Sequence, residues 1–184
     1  FTKSDAEINY MKSAAKISES AMKTAMEVIN PGVRQCDAVG EIQKALFYGT
    51  EEFGGEYASI ATLLPTGKGT SASHLTATQD KFVKGEATII ELSGTYKRYH
   101  APMARTVLLG EPNQQKIDTM NKTIEALNSG ISAIKAGNTV DDVARIPRGR
   151  GQQYYQPSRN VWFSLGRQLP HRCRSDCFHQ KYCT

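Results

Sequence analysis

The chain has 184 residues, of which 39% are hydrophobic and 22% are charged. That length is enough for one domain with a buried core. The sequence contains no run of 18 apolar residues and begins with a polar stretch, so we expect neither a membrane-spanning helix nor a secretory leader. These features predict a cytoplasmic protein without a membrane partner, and the absence of an initiating methionine predicts a fragment.

The net charge of +5 is distributed unevenly along the chain. Residues 1–146 contain 16 Lys and Arg against 17 Asp and Glu, a balance of −1, whereas residues 147–184 contain seven against one, a balance of +6. The second stretch also holds three of the four cysteines and no glutamate. We therefore predict a domain over 1–146, followed over 147–184 by an irregular tail that a changed reading frame or a misjoined fragment would produce.

The tail has a second interpretation. Cys173, Cys177, His179 and Cys183 are four potential zinc ligands, and a basic segment suits nucleic acid. Their spacing matches no standard zinc module, because only one residue separates the second cysteine from the histidine. We therefore predict neither a zinc site nor a nucleic-acid partner.

The N-terminal part of the chain predicts two helices. The run Ser4-Asp-Ala-Glu7 forms a capping box, and apolar residues then recur at helical spacing until Pro31-Gly32 ends the pattern. Asp37 is predicted to cap a second helix that ends at Gly49.

A weak internal repeat predicts a second pair of helices. A third apolar helical pattern begins near Pro112 and ends at Gly137, and Thr139-Val-Asp-Asp142 is the capping box of a fourth helix. The segments 25–37 and 130–142 share an isoleucine, a glycine stop and an aspartate at equivalent positions.

Between the helical pairs, apolar and β-branched runs predict strands at 58–64, 87–92 and 103–109. A break at Gly94-Thr95 is predicted to be the bend between the last two strands.

Glu91 lies at the end of an apolar strand. A carboxylate there is costly to bury without a partner, which makes Glu91 a candidate for function. The alternative is a structural glutamate that pairs with Arg98 or Arg105.

His74 follows a loop of small residues that is not a core position. The loop contains Gly-Lys-Gly-Thr but lacks the spacing of a phosphate-binding loop, so no nucleotide site is predicted. His74 is either a functional residue or an exposed loop histidine.

The run Arg98-Tyr-His-Ala-Pro-Met-Ala-Arg-Thr106 resembles the catalytic domain of the pita-bread superfamily, which includes prolidase, aminopeptidase P, creatinase and ectoine hydrolase. The resemblance implies an α+β fold of two pseudo-symmetric halves, the first complete here and the second truncated. Most members hold two metal ions through aspartates on this pair of strands. Counted back from Arg105-Thr106, those positions are Glu91 and Pro102, and proline cannot bind a metal.

Within the superfamily the run is most similar to ectoine hydrolase, a metal-free relative of creatinase. The resemblance implies hydrolysis of an amidine C–N bond in a small, cyclic, ectoine-like substrate, with no cofactor and no metal, by a homodimer when full length. It aligns His74 with the acid–base histidine of creatinase and makes Glu91 the holder of the cationic substrate. Arg98 and His100 are the candidate substrate contacts.

Two alternatives remain open. One is an Xaa-Pro metallopeptidase of the prolidase or aminopeptidase P type, for which Pro102 is the difficulty. The other is an inactive pita-bread module that only binds a peptide or protein, which the missing glutamates of the tail would favour.

Overall fold

A computed structural model describes residues 2–72 and 74–145. These residues form two compact units, one ending at Gly110 and the other beginning at Glu111. None of the helices in the described ranges is both long and apolar enough to span a lipid bilayer. The predictions made for residues 147–184 lie outside the described residues.

The elements are α1 (Asp5–Val28), α2 (Gln35–Tyr48), a short 3-10 helix (Gly67–Ser71), β1 (Ala87–Tyr96), β2 (Tyr99–Leu108) and α3 (Gln114–Ala133).

Helix α1 begins at the predicted capping box. Ser4 Oγ accepts a hydrogen bond from the Glu7 N–H, and the Glu7 carboxylate accepts one from the Ser4 N–H at 2.7 Å. The phenol of Tyr99, on β2, donates a further bond of 2.8 Å to the same carboxylate. These donors lower the pKa of Glu7 to about 2, with the backbone bond from Ser4 as the largest cause.

The N-cap of helix α2 lies three residues before the aspartate predicted to cap it. Arg34 is the N-cap residue, and Asp37 lies in the first turn. The Asp37 carboxylate is bound instead by the Arg34 guanidinium through two nitrogens, at 2.7 and 2.8 Å. The prediction of the helix was confirmed, and the prediction of its cap was wrong.

The two named strands form one antiparallel hairpin, but its turn is not where the sequence indicates. Ala87 pairs with Leu108 and Tyr96 with Tyr99, so the turn is Lys97-Arg98 and the predicted bend at Gly94-Thr95 lies inside β1. Lys97 and Arg98 have φ of 49° and 66°, as the type I′ turn of a two-residue hairpin requires.

Gly94 is needed inside the strand because α1 crosses it closely. A Cβ on Gly94 would lie 2.4 Å from the Ala14 carbonyl oxygen and 2.6 Å from the Ser18 nitrogen. The buried Ser18 hydroxyl accepts a hydrogen bond of 2.7 Å from the Gly94 N–H and donates to the Ala101 carbonyl, so it joins both strands of the hairpin to α1.

The predicted strand at 58–64 is not formed within the described residues. The chain instead makes isolated antiparallel bridges to the outer edge of β1, at Leu63 with Glu91 and at Thr66 with Thr88. The prediction failed because an apolar run does not determine whether its backbone can pair continuously with the neighbouring strand.

The core of the first unit lies between the helices and one face of the hairpin. Helix α1 packs against α2 and against both strands. Because side chains alternate along a strand, Ile90 and Leu92 face this core and Glu91 faces away. The fully buried core side chains include Ile17, Ala21, Ile42, Ile90 and Leu92.

The second unit repeats the local geometry of the first. Ile29, which caps α1, has φ −79° and ψ 94°, and Ile134, which caps α3, has φ −77° and ψ 90°. Gly32 and Gly137 both adopt left-handed φ, at 86° and 94°. The internal repeat is therefore confirmed in the backbone of these two helix ends.

The capping box predicted for the fourth helix is also confirmed. The Asp142 carboxylate accepts a hydrogen bond of 2.8 Å from the Thr139 N–H, and the Thr139 hydroxyl accepts one from the Asp142 N–H. The helix begins at Val140 and is described to Arg145.

Candidate functional site

The backbone of Glu91 is held by hydrogen bonds, and its side chain is partly exposed. Its N–H and carbonyl exchange hydrogen bonds of 3.0 and 2.8 Å with Leu63 on the outer edge of β1, and its side chain projects from the face opposite α1. That side chain is 29% exposed. The carboxylate therefore has a defined position and access to solvent.

His74 lies in a loop, and its side chain is close to that of Glu91. Its Nε2 lies 3.8 Å from Oε2 of Glu91, and its side chain is 44% exposed. The loop is anchored next to Glu91, because the Leu75 carbonyl accepts a hydrogen bond of 3.0 Å from Leu64, the neighbour of Leu63. His74 also has a φ of 60°, which is uncommon for a residue other than glycine. Such strain persists where the surrounding structure enforces it and is frequent at functional sites.

The structure separates Glu91 from the arginines of the structural alternative. Ile90, and not Glu91, pairs with Arg105 across the hairpin, so Arg105 projects from the opposite face. Arg98 lies in the turn, where its Nη1 is 3.8 Å from the Glu56 carboxylate. The geometry therefore does not support the alternative in which Glu91 is a structural residue paired with Arg98 or Arg105.

The described residues around Glu91 do not by themselves make up a metal site. Pro102 pairs with Ser93 and shares the face of Glu91, and its ring carries no ligand atom. Within residues 2–72 and 74–145, no group of three or more His, Cys, Asp or Glu side chains could hold a metal. Glu91 and His74 alone fall short of the three protein ligands that catalytic zinc sites use.

The other two predicted site residues lie together at the turn of the hairpin. His100 Nε2 accepts a hydrogen bond of 3.0 Å from the Ser59 N–H, so its Nδ1 carries the proton and donates to the Arg98 carbonyl at 3.1 Å. The Arg98 guanidinium donates to the Tyr57 carbonyl at 2.9 Å and lies over the Tyr57 ring, 4.2 Å from its centre.

The structure thus divides the four predicted residues into two pairs. His100 is four residues along β2 from Ala104, which pairs with Glu91. At the rise of a β-strand this is a separation of about 13 Å along the hairpin. His74 and Glu91 form one cluster and Arg98 and His100 another, and one small molecule does not span both.

Sequence reasoning missed Glu56, which organises the second cluster. Its carboxylate accepts hydrogen bonds of 3.1 Å from the N–H groups of Lys97 and Arg98, the two turn residues with positive φ. Successive N–H groups in such a turn form a concave anion site. The available signal was a two-residue turn without the glycine or asparagine that it normally requires.

Comparison with known proteins shows which family this geometry belongs to. Residues 9–174 match the model of metallopeptidase family M24. The chain therefore belongs to family M24, a family of hydrolases.

Individual relatives are consistent with that assignment. The chain is 40% identical over 147 residues to the ectoine hydrolase of Halomonas elongata, covering 77% of this chain and 37% of that protein. It is also 40% identical over 143 residues to the uncharacterized hydrolase/peptidase y4tM of Sinorhizobium fredii, covering 78% of this chain and 36% of that protein.

Among solved structures, the prolidase from Pyrococcus furiosus matches with a TM-score of 0.78 at 24% identity, over 83% of this chain and 44% of that one. This match confirms the predicted α+β pita-bread fold. The chain spans about two fifths of the length of the relatives it matches.

Proposed function

We propose that this chain carries part of the active site of an ectoine hydrolase-like enzyme, which hydrolyses an amidine C–N bond in a small cyclic substrate without a metal. The observation that supports the proposal most is the pair His74 and Glu91, 3.8 Å apart on an accessible face of the hairpin, with Pro102 on the same face where the resemblance places the second metal ligand. The 40% identity to the ectoine hydrolase of Halomonas elongata supports an ectoine-like substrate class.

The chemistry follows from the charge of the substrate. An amidinium group is cationic at the carbon to be attacked, so the Glu91 carboxylate holds it by charge-assisted hydrogen bonds. His74 takes a proton from water, the hydroxide oxygen adds to the amidinium carbon, and the proton passes to the leaving nitrogen as the C–N bond breaks. The hydroxyl proton of the adduct is released as the carbonyl forms and is taken up by the amine, so the products are an amide and an ammonium group. Acid–base help of this kind contributes about a hundred- to ten-thousandfold in rate.

The predicted substrate contacts of Arg98 and His100 remain a prediction. Their side-chain nitrogens already bind the chain itself, and they lie at the other end of the hairpin from Glu91. A small molecule held at Glu91 needs contacts for its carboxylate that are closer than these.

The second candidate is an Xaa-Pro metallopeptidase. Its support is the fold shared with the Pyrococcus furiosus prolidase, and its difficulty is the donor set around Glu91. Fold alone does not decide between the two, because one fold hosts several chemistries.

The test compares two substrate classes. The protein, expressed from its complete reading frame and purified without chelator, is assayed on ectoine and on Xaa-Pro dipeptides, before and after removal of divalent ions, with its metal content measured. We expect turnover of ectoine that is unchanged by removal of the ions. Two tightly bound ions per chain, and dipeptide cleavage that is lost when they are removed, would establish the metallopeptidase instead.

A further inference from the structure

The outer edge of β1 contains one position whose backbone is left open. Ile89, Glu91 and Thr95 point their backbone groups to this edge, where they bond to segment 56–66 at 2.8 to 3.0 Å. Ser93 lies between Glu91 and Thr95 and points the same way, because backbone groups alternate in direction along a strand. Within the described residues, no hydrogen bond is made by the Ser93 N–H or received by its carbonyl.

The gap exists because the neighbouring chain bulges. Glu56 bonds to Thr95 and Leu63 to Glu91, so residues 57–62 run beside only Leu92–Gly94. The bulge leaves a cleft of about 90 Å³ that reaches Ser93. It is lined by the C-terminal half of α2, by the segment 56–61 and by Ser93.

The chemistry of this position defines its ligand. Ser93 is only 2% exposed, and a buried N–H and carbonyl without partners are unfavourable. In an antiparallel sheet, such a position exchanges two hydrogen bonds with one extended residue of the neighbouring strand. The N–H and the carbonyl of that residue are both attached to its single Cα. The cleft, at about 90 Å³, has room for a unit of this size.

We propose that the Ser93 main chain binds the α-amino-acid unit of the substrate. The substrate N–H donates to the Ser93 carbonyl, and its carboxylate accepts from the Ser93 N–H. The inference rests on the proposed function, because a cyclic amidine with a carboxylate beside a ring N–H carries this unit. Ser93 is two residues from Glu91 on β1, about 7 Å along the strand.

The first test needs no variant. The ¹⁵N-labelled protein, expressed from its complete reading frame, is titrated with ectoine, with N-acetylglycine, which has the N–H and carboxylate but no amidine, and with acetamidinium, which has the amidine alone. We expect a saturable shift of the Ser93 amide resonance with ectoine and N-acetylglycine and none with acetamidinium. A Ser93 resonance that stays unchanged with N-acetylglycine overturns the inference.

The outcomes separate this inference from the proposed function. If ectoine shifts the amide resonances of Glu91 and its neighbours while that of Ser93 is unchanged, the Ser93 binding site is wrong and the proposed function stands. If N-acetylglycine shifts the Ser93 amide resonance and ectoine shifts no resonance, the Ser93 binding site stands and the proposed substrate class is wrong.

A pair of variants isolates the N–H group. Ser93→Pro removes it without breaking the hairpin ladder, because this N–H points away from β2. We expect N-acetylglycine to bind about tenfold more weakly, the loss of one hydrogen bond to a charged group. Ser93→Ala keeps the backbone intact and should bind as the wild type does. Equal weakening in both variants would assign the effect to the hydroxyl and contradict the inference.

Discussion

The turn and the middle of the hairpin contrast in what their polar side chains contact. At the turn, Glu56, Arg98 and His100 bind backbone atoms of neighbouring residues, and both ring nitrogens of His100 are used. Near its middle, His74 and Glu91 face each other at 3.8 Å with both side chains accessible. Side chains that bind the backbone hold a structure together, whereas an acid–base side chain that faces a carboxylate at an accessible position can act on a substrate.

The largest expected effect is on catalysis. His74→Ala and Glu91→Gln should each lower kcat on ectoine by about a hundred- to ten-thousandfold, because each removes one group of the acid–base pair. Thermal unfolding should change little, since both side chains are partly exposed. Glu51→Gln, in an exposed loop, is the matched control and should retain activity. A near-normal kcat in either site variant would refute the role assigned to that residue.

The next effect is on stability, at the contact that joins the hairpin to α1. Gly94→Ala should lower the free energy of unfolding by about 3 kcal/mol, because the new methyl group overlaps backbone atoms of α1. Gly40→Ala is the control, since nothing lies within 4 Å of its added Cβ and alanine is the better helix former. Chemical denaturation of both variants measures the difference. Equal stabilities would show that the strand and helix are not held this closely.

A smaller effect is expected at the turn. Glu56→Ala leaves the N–H groups of Lys97 and Arg98 without their acceptor and should cost about 1 to 2 kcal/mol. Adding Lys97→Asn and Arg98→Gly should restore most of the loss, because these residues adopt positive φ more readily. If the Asn-Gly replacement gives no recovery, Glu56 does not act through the turn.

The smallest effect depends on pH. The pKa of Glu7 is lowered from 4.5 to about 2, so its contribution to stability is complete above pH 4.5 and is lost as the pH falls toward 2. Glu7→Gln should therefore differ from the wild type near neutral pH and approach it in acid. Urea denaturation at a series of pH values measures this convergence. A difference that is constant with pH would show that the carboxylate charge is not the cause.

The sequence predicted the parts of this fold whose signals are local. The Ser4 and Thr139 capping boxes, and the glycine stops at Gly32 and Gly137, depend on residues within one turn of helix, and all were found. The bend at Gly94-Thr95 was misplaced because that glycine is required by a helix about 76 residues earlier in the chain, at Ser18. Local patterns carry no information about such an approach.

The site was predictable to the extent that a resemblance named its residues. His74 and Glu91 are separated by 17 positions, and no periodicity would bring a loop histidine to that strand. The open backbone of Ser93 has no sequence signal, because it depends on how many residues segment 57–62 places beside β1.

The most direct test of the account is a double-mutant cycle between the two site residues. The kcat/KM for ectoine is measured for the wild type, His74→Ala, Glu91→Gln and the double variant. If the two groups act as one unit on one substrate, the double variant should be no slower than the poorer single variant. Losses that multiply, or a double variant that retains wild-type activity, would contradict the claim that His74 and Glu91 form the catalytic pair.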